Sequence, residues 1–562
     1  MKIKKSTIFL ILIFLLAGVL RFWGLGKVPS SPDWDEAALG YNAYSILKTG
    51  KDEYGAPLPL IIRSFDDYKP ALYVYLVIPA IKIFGLNTFA VRLPAAIIGT
   101  LTVLLTYFLV NELFISDFKK DNKSVASLTR NKLIALTASF LLAISPWHLQ
   151  FSRVAFETAV GMTLDVLIAF LFLKSLRKPW LLLLAAFFAG LNIYVYQAEK
   201  VFTPLLVLVL VIIWRRNLFK IPRRWLIAAF LLGFVILIPF LRLSLTTPEI
   251  FLRAKGTSFA SDQTPFLFRT AQKLIRDKEN NDYLGLVLDN RRITYVLTFL
   301  SGYFSHFNLN WLFLTGDDTR HHAPGMGLLY LLELPFFLLG IYQLVWGCYE
   351  SKSKYFVVSW LLLAPFPAAF SSGVPHAVRS LRFLPFIHLL TALGLVRFWE
   401  WLEQNKLTTR VVVSLVVVMF FIFNFAYYLN QYFVQLNWFT SAAWQYGYEQ
   451  AVAEVAKIQD KYDKIIVSNQ PHLDQSYMFF LYYLKYDPAK YQQEGGTVSG
   501  GFAEERNSFG KFKFRPIVWE QEEKSERILY VGRPDDFPGD KPVVKTFYFL
   551  NGEPAIKLVE GK

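Results

Sequence analysis

The chain has 562 residues, of which 54% are hydrophobic, 17% aromatic and only 18% charged, with a formal net charge of +16. Together with a mean hydropathy of +0.35, this exceeds what an ordinary soluble domain carries and implies many membrane spans. One cysteine, Cys348, excludes an internal disulfide and a cysteine metal cage, and the basic excess reads as cytoplasmic anchoring charge rather than a nucleic-acid surface.

In chain order, Lys2, Lys4 and Lys5 precede about twenty apolar residues without a convincing cleavage site. This predicts an uncleaved first span with a cytoplasmic N-terminus. About eleven stretches are apolar enough to span: 6–25, 88–113, 133–147, 158–174, 180–196, 201–214, 225–241, 326–348, 355–371, 383–398 and 410–429. Their loops carry basic clusters at Lys119, Lys120, Lys123, Arg130 and Lys132; at Lys174, Arg177 and Lys178; at Arg215, Arg216, Lys220, Arg223 and Arg224; at Lys352 and Lys354; and at Arg397, Lys406 and Arg410. With an N-in start, every cluster falls on the cytoplasmic side. The run Lys69 to Gly85 is short, holds two prolines and carries Lys82. Counting it as a span would move the clusters outside, so a re-entrant or interfacial helix is predicted.

The predicted organisation is therefore a membrane domain over 1–432 and an extracytoplasmic C-terminal α/β domain over 433–562. The membrane domain has one extracytoplasmic loop with juxtamembrane helices at 27–87 and a second long one at 242–325. The C-terminal domain shows strand-like "KIIVS" and "RILYVG" and a helical "QSYMFFLYYLKY". No solenoid repeat, P-loop or G-x-G-x-x-G occurs, so a nucleotide donor is not indicated.

Chemistry concentrates on the predicted outer side. In "SSPDWDEAALGYNAYSILKTG", Ser31 suits a helix cap, Pro32 its first position and Gly50 its end. Ala37, Tyr41 and Tyr44 share a face, predicting a helix that lies on the bilayer surface. Asp33, Asp35 and Glu36 occupy its first turn, where acids also complement the helix dipole. The same side collects Lys69; His148, Arg153 and Glu157; Glu199 and Lys200; Asp317, Asp318, Arg320, His321 and His322; and His376, Arg379 and Arg382. Asp165 falls within a predicted span. Charge at membrane depth is costly unless paired or used. A pocket holding acids and bases suits an anionic ligand arriving through the membrane, such as a lipid phosphate. Cations would hold the phosphate, and a carboxylate would act as base on a hydroxyl or amine. The bland readings stand beside these. His321 and His322 also suit a solvated loop, Arg379 and Arg382 also suit lipid headgroups, and Glu157 also suits a solvated span end.

"PDWDEAALGYNAYSILKTGKDEYG", "KPALYVYL", "NTFAVRLPAAIIGTLTVLLTYFLVNELF" and "SPWHLQFSRVAFETAV", in this order, resemble the polyprenyl-phosphate-sugar glycosyltransferases of the C superfamily (GT-C). Protein O-mannosyltransferases and the bacterial lipid A aminoarabinose transferase are members. The similarity covers roughly residues 10–400 and is silent on sugar and acceptor. It implies a polytopic α-helical GT-C fold with about 11–13 spans. It implies transfer from a polyprenyl-phosphate-sugar donor to an acceptor hydroxyl or amine of a protein, glycolipid or cell-envelope glycan, with inversion and without a covalent enzyme intermediate. The acidic pair matches Asp35 and Glu36, with Asp35 as base. The second acidic position, usually aspartate, matches Glu157, whose longer side chain shifts the charge. Lys69 matches the lysine that approaches the lipid phosphate, with looser matches at Arg153, Arg379 and Arg382. His321, His322 and His376 stand as substrate or metal contacts. No cofactor is certain, and a divalent metal stays open because relatives differ. The alternative is a transporter or flippase for lipid-linked sugars. Such a protein would want polar residues at mid-membrane and symmetric broken helices, whereas here the polar residues gather on one side. A non-catalytic surface-assembly protein would tolerate loss of both Asp35 and Glu157.

Overall fold

Apolar runs become helices here because a helix satisfies its own backbone polar groups in a medium without water. The computed structural model describes residues 5–65, 67–114, 125–247, 258–259, 266–498, 507–539 and 543–562; Lys119, Lys120 and Lys123 lie outside these. In chain order the elements begin with α1 (Lys5–Phe22), α2 (Trp34–Thr49), strands β1 (Ile61–Ser64) and β2 (Asp67–Pro70), α3 (Leu72–Phe84) and α4 (Thr88–Leu113). Then come α5 (Val125–Ile144), α6 (Pro146–Arg153), α7 (Thr158–Ser175), α8 (Leu181–Asn192), α9 (Glu199–Leu218) and α10 (Arg223–Thr246).

Among the described residues seven helices are long and apolar enough to cross a membrane: α1, α4, α7, α9, α10, Leu381–Leu402 and Leu407–Thr440. An eighth forms if Thr129–Ile144 and α6, bent by 56° at their junction, count as one. The apolar stretches at 180–196, 326–348 and 355–371 fold as shorter helices, Leu181–Asn192, Glu333–Trp346 and Ser351–Leu363. The run at Lys69–Gly85 yields the 13-residue α3, shorter than the roughly 20 residues a span needs.

The chain divides into two compact units, and the division does not follow the expected boundary at 432. The first comprises Met1–Ala17, Gly99–Leu149 and Thr158–Phe425. Its helices α7 and Leu381–Leu402 are mostly buried, whereas α10 has Ala229 as its one buried residue and alternates exposed with half-buried apolar side chains, as a helix with one lipid-facing side requires. Helices Glu333–Trp346 and Phe386–Leu402 pack backbone to backbone at glycines. A Cβ on Gly340 would lie 1.8 Å from the Leu390 carbonyl oxygen, and one on Gly394 would lie 1.9 Å from that of Phe336. Some of the described basic residues at span ends form polar links within this unit. Glu112 meets Lys174 at 3.2 Å and also Arg177. Arg130 donates to Glu400 and to the Tyr349 hydroxyl, and Lys352 donates to Asn217 at 2.7 Å.

The second unit comprises Gly18–Ile98, Gln150–Glu157 and Ala426–Lys562. Its C-terminal part carries β3 (Lys464–Val467), β4 (Ser508–Phe509), β5 (Phe512–Phe514), β6 (Ile528–Gly532), β7 (Val543–Tyr548) and β8 (Pro554–Glu560). These form one mixed sheet in the order β4-β5-β3-β6-β8-β7, with β3 parallel to both β5 and β6. The expected strands "KIIVS" and "RILYVG" are β3 and β6, and the expected helix is Ser476–Leu484. That helix packs on α2 within this unit. Gly40 of α2 makes room for the Tyr482 ring, which a Cβ would approach to 2.8 Å.

Candidate active site

The first turn of α2 sets the site. Asp33 rather than Ser31 is the N-cap: its carboxylate accepts the Glu36 N–H at 2.9 Å, and Pro32 precedes the helix. Gly50 closes the other end in the left-handed conformation at φ 71°. Ala37 and Tyr41 are fully buried, and α2 is enclosed by protein instead of resting on the bilayer surface. The Tyr41 hydroxyl donates to the Tyr486 carbonyl, and its ring meets Tyr491 edge-on.

Asp35 and Glu36, adjacent in sequence, have opposite environments. The Glu36 carboxylate is fully buried and bound bidentately by Arg92, at 2.9 Å from Nε and 2.7 Å from Nη2. It also accepts the Ala155 N–H at 2.8 Å. The same guanidinium donates to the carbonyls of Leu25, Pro29 and Ser31 and faces the Trp444 ring. One buried ion pair thereby joins three segments: the connection into α2, the start of α4, and the stretch leading to Glu157. The Asp35 side chain is 30% exposed and pairs with Lys69, itself 10% exposed. Lys69 lies on β2, in a hairpin where it stands opposite Ile62, and not at the start of α3. Glu36 and Glu157 both sit close enough to Tyr73, buried at the start of α3, to help burial raise its phenol well above the ordinary value. The structure therefore brings Asp35, Glu36, Lys69 and the Glu157 segment together in one unit.

Arg153 belongs to the same unit, but its guanidinium is committed elsewhere. It donates to the carbonyls of Leu20, Arg21 and Val28 and lies over the rings of Tyr432 and Phe433. It is fully buried and fixes the end of α1 where a phosphate contact was expected.

The remaining predicted residues lie in the other unit. Arg382 is fully buried between Glu199, which it contacts directly, and Asp165, 4.0 Å away. Asp165 also accepts from Asn192 and Thr203, so this cluster is a neutralising network inside the helices. Arg379 is partly exposed and donates to the Ser372 carbonyl at 3.2 Å. His321 and His376 come together, their rings 5.2 Å apart, beside Asp317. His322 turns away, its Nδ1 donating to the Ala323 carbonyl at 2.9 Å. Burial, reinforced by Arg379, pushes the His376 imidazole down to about 2, and burial pushes His306 down to about 4.

Arg92 was not among the expected site residues. Its signal was present in "NTFAVRLPAA": an arginine one turn inside an apolar span must find a partner. Nothing in the local pattern said that the partner would be Glu36, 56 positions earlier.

No protein-family model matches the chain. One curated relative, the putative mannosyltransferase YkcB of Bacillus subtilis (strain 168), is 27% identical over 214 residues. That match covers 37% of this chain and 27% of that protein's length. Among solved structures, ArnT from Cupriavidus metallidurans bound to undecaprenyl phosphate matches with a TM-score of 0.54 at 12% identity, over 98% of both chains. The same ArnT in the apo state matches with 0.55 over 100% of this chain and 99% of that one. The archaeal oligosaccharyltransferase AglB from Archaeoglobus fulgidus, in complex with an inhibitory peptide and a dolichol-phosphate, matches with 0.52 at 13% identity, over 94% of this chain and 69% of that one.

The chain has the GT-C fold. At 12–13% identity the likeness is one of architecture, and it accounts for the helices of the membrane part together with the small C-terminal sheet.

Proposed function

We propose that this protein is an integral-membrane glycosyltransferase that takes a sugar from a polyprenyl-phosphate donor at the extracytoplasmic face, with Asp35 as general base. The observation that carries the reading is the contrast between the two adjacent acids. Glu36 is buried and locked by Arg92 and the Ala155 N–H, while Asp35 beside it keeps an accessible carboxylate paired with Lys69. Rigid support behind one exposed carboxylate is what a positioned base requires.

In this reading Asp35 accepts the proton of the acceptor hydroxyl or amine. The acceptor atom bonds to the anomeric carbon as the bond from that carbon to the phosphate oxygen breaks, and the electron pair leaves on the phosphate. Attack opposite the leaving group inverts the centre. Lys69 pairs with Asp35 at rest and faces the phosphate charge as it develops. Glu157, tethered through Ala155, orients the acceptor. Glu36 and Arg92 act as positioning residues, and the C-terminal domain contributes to acceptor binding. The lipid phosphates held by ArnT and AglB support a donor of this class. So does an apolar cavity of about 700 Å³ in the first unit, lined by Phe172, Ala189, Pro204, Leu210 and Phe234, with Lys200 at its margin. That volume suits an isoprenoid segment.

The test is incubation of the purified protein in lipid nanodiscs with radiolabelled polyprenyl-phosphate sugars and an extract of envelope acceptors. Release of polyprenyl phosphate with label appearing in an acceptor is expected. Movement of the intact donor across vesicle membranes without sugar transfer would instead make the protein a flippase.

A further inference from the structure

Two segments of the first unit meet at a point that the transfer reading does not use. Asp317 and His321 follow a π-helical turn, Trp311–Thr315, and His376 lies in the stretch before Leu381–Phe383. Asp317 Oδ2 and His321 Nδ1 are 3.1 Å apart. Ligand atoms from Asp317, His321 and His376, a carboxylate oxygen and two ring nitrogens, one from each residue, all lie within 4.8 Å of one another. The side chains of Asp317 and His321 are only 14% and 8% exposed. Asp317 Oδ1 and His376 Nδ1 are buried and find no hydrogen-bond partner among the described residues.

The backbone around the set is fixed. The Ala377 N–H donates to Asp317 Oδ2 at 2.7 Å. The His376 N–H donates to His306 Nε2 at 3.2 Å, and His306 Nδ1 donates in turn to the Gly302 carbonyl at 2.7 Å. That pair of contacts makes His306 a neutral imidazole, protonated on Nδ1. Gly316, at φ +65°, makes the turn that separates Asp317 from the preceding helix; a Cβ there would lie 2.4 Å from the His322 ring. The turn therefore sends His321 toward Asp317 and His322 away from it.

We propose that Asp317, His321 and His376 form a binding site for a divalent transition-metal ion of the zinc class, which clamps the 311–325 segment to the 371–380 segment. Two imidazoles and one carboxylate favour zinc over magnesium or calcium, which prefer all-oxygen shells. A four-coordinate zinc with bonds of about 2.1 Å holds its ligand atoms about 3.4 Å apart. Side-chain rotations drawing the three atoms inward by roughly one ångström close the shell. Three protein ligands leave a fourth position for water or an anionic oxygen. The site does not depend on the glycosyl-transfer reading and is tested without it.

The protein is purified through a non-histidine tag, stripped with a chelator and titrated with Zn²⁺ and with Co²⁺ as a visible-absorbing probe. Binding of about one ion per chain is expected, with a Co²⁺ spectrum of low-symmetry nitrogen and oxygen ligation and a rise in melting temperature. His376→Ala and His321→Ala should each weaken binding at least about 100-fold, because a lost ligand costs more than a lost neighbour. His322→Ala should leave it unchanged. Asp317→Asn keeps an acceptor for the Ala377 N–H, so its loss of the Co²⁺ spectrum would report ligation and not misfolding. Failure of the wild type to bind either ion at micromolar concentration, or equal binding by wild type, Asp317→Asn and His376→Ala, would overturn the site.

Discussion

At the scale of single residues, the decisive contrast is between neighbours. The acidic turn stood out in the sequence because Asp33, Asp35 and Glu36 fall within four residues soon after the first span. Glu36, grouped with Asp35 in the sequence, turns out to be the anchor of a buried pair with Arg92. A charge pair without exposure stabilises mainly by never being broken, since removing one partner strands the other. Glu36→Gln and Arg92→Met are each expected to lower stability by about 3–5 kcal/mol. The double variant should lose clearly less than the sum, because no lone charge remains. Melting curves in detergent decide this, and strictly additive losses would show that the pair is not the anchor described here. The cap assignment missed by two residues for a related reason. Ser31 and Asp33 both have cap-forming chemistry, and Asp33 takes the position because its carboxylate reaches the Glu36 N–H three residues on.

At the scale of elements, run length and apolar content made the long helices legible, while the β1–β2 hairpin carrying Lys69 was not. Its strands are four residues each and show no clean alternation in "IIRSFDDYKP". The stretch after α2 holds a further device, Glu53. Its carboxylate accepts from Asn42 at 2.9 Å and from Thr497 at 2.7 Å, and its own N–H donates to Asn42. Burial pushes this carboxyl from 4.5 up to about 7. Between these values the folded state holds a proton that the unfolded chain has released, so stability falls as pH rises from about 4.5 to 7 and is flat above. The full effect is on the order of 3 kcal/mol. The melting temperature of Glu53→Gln minus that of the wild type should therefore climb across this window and then level off. A difference independent of pH would remove Glu53 from the account.

At the scale of the whole molecule, the expected sidedness rests on the alternation of basic loops with apolar runs, and the shorter helices at 181–192, 333–346 and 351–363 are where length alone is least informative. The grouping of residues 18–98 with the C-terminal sheet in one compact unit was not legible. It rests on contacts such as α2 with the Ser476–Leu484 helix, more than 400 positions apart, which leave no local trace. Sidedness is testable with the chain's own exposed cysteine, Cys348, beside the basic Lys352 and Lys354. A membrane-impermeant maleimide applied to intact cells should leave Cys348 unlabelled. It should label Glu526→Cys, at a side chain 77% exposed in the C-terminal part, in a Cys348→Ser background. The reverse pattern would invert the topology and place Asp35 on the wrong face for the proposed donor.

The most direct test of the central claim is turnover by Asp35→Asn beside wild type, in nanodiscs supplied with the polyprenyl-phosphate sugar the wild type consumes. The account predicts a melting temperature near that of the wild type and a transfer rate reduced by a factor of about 10²–10⁴, the contribution of a positioned base. A correctly folded Asp35→Asn that transfers sugar at the wild-type rate would contradict it.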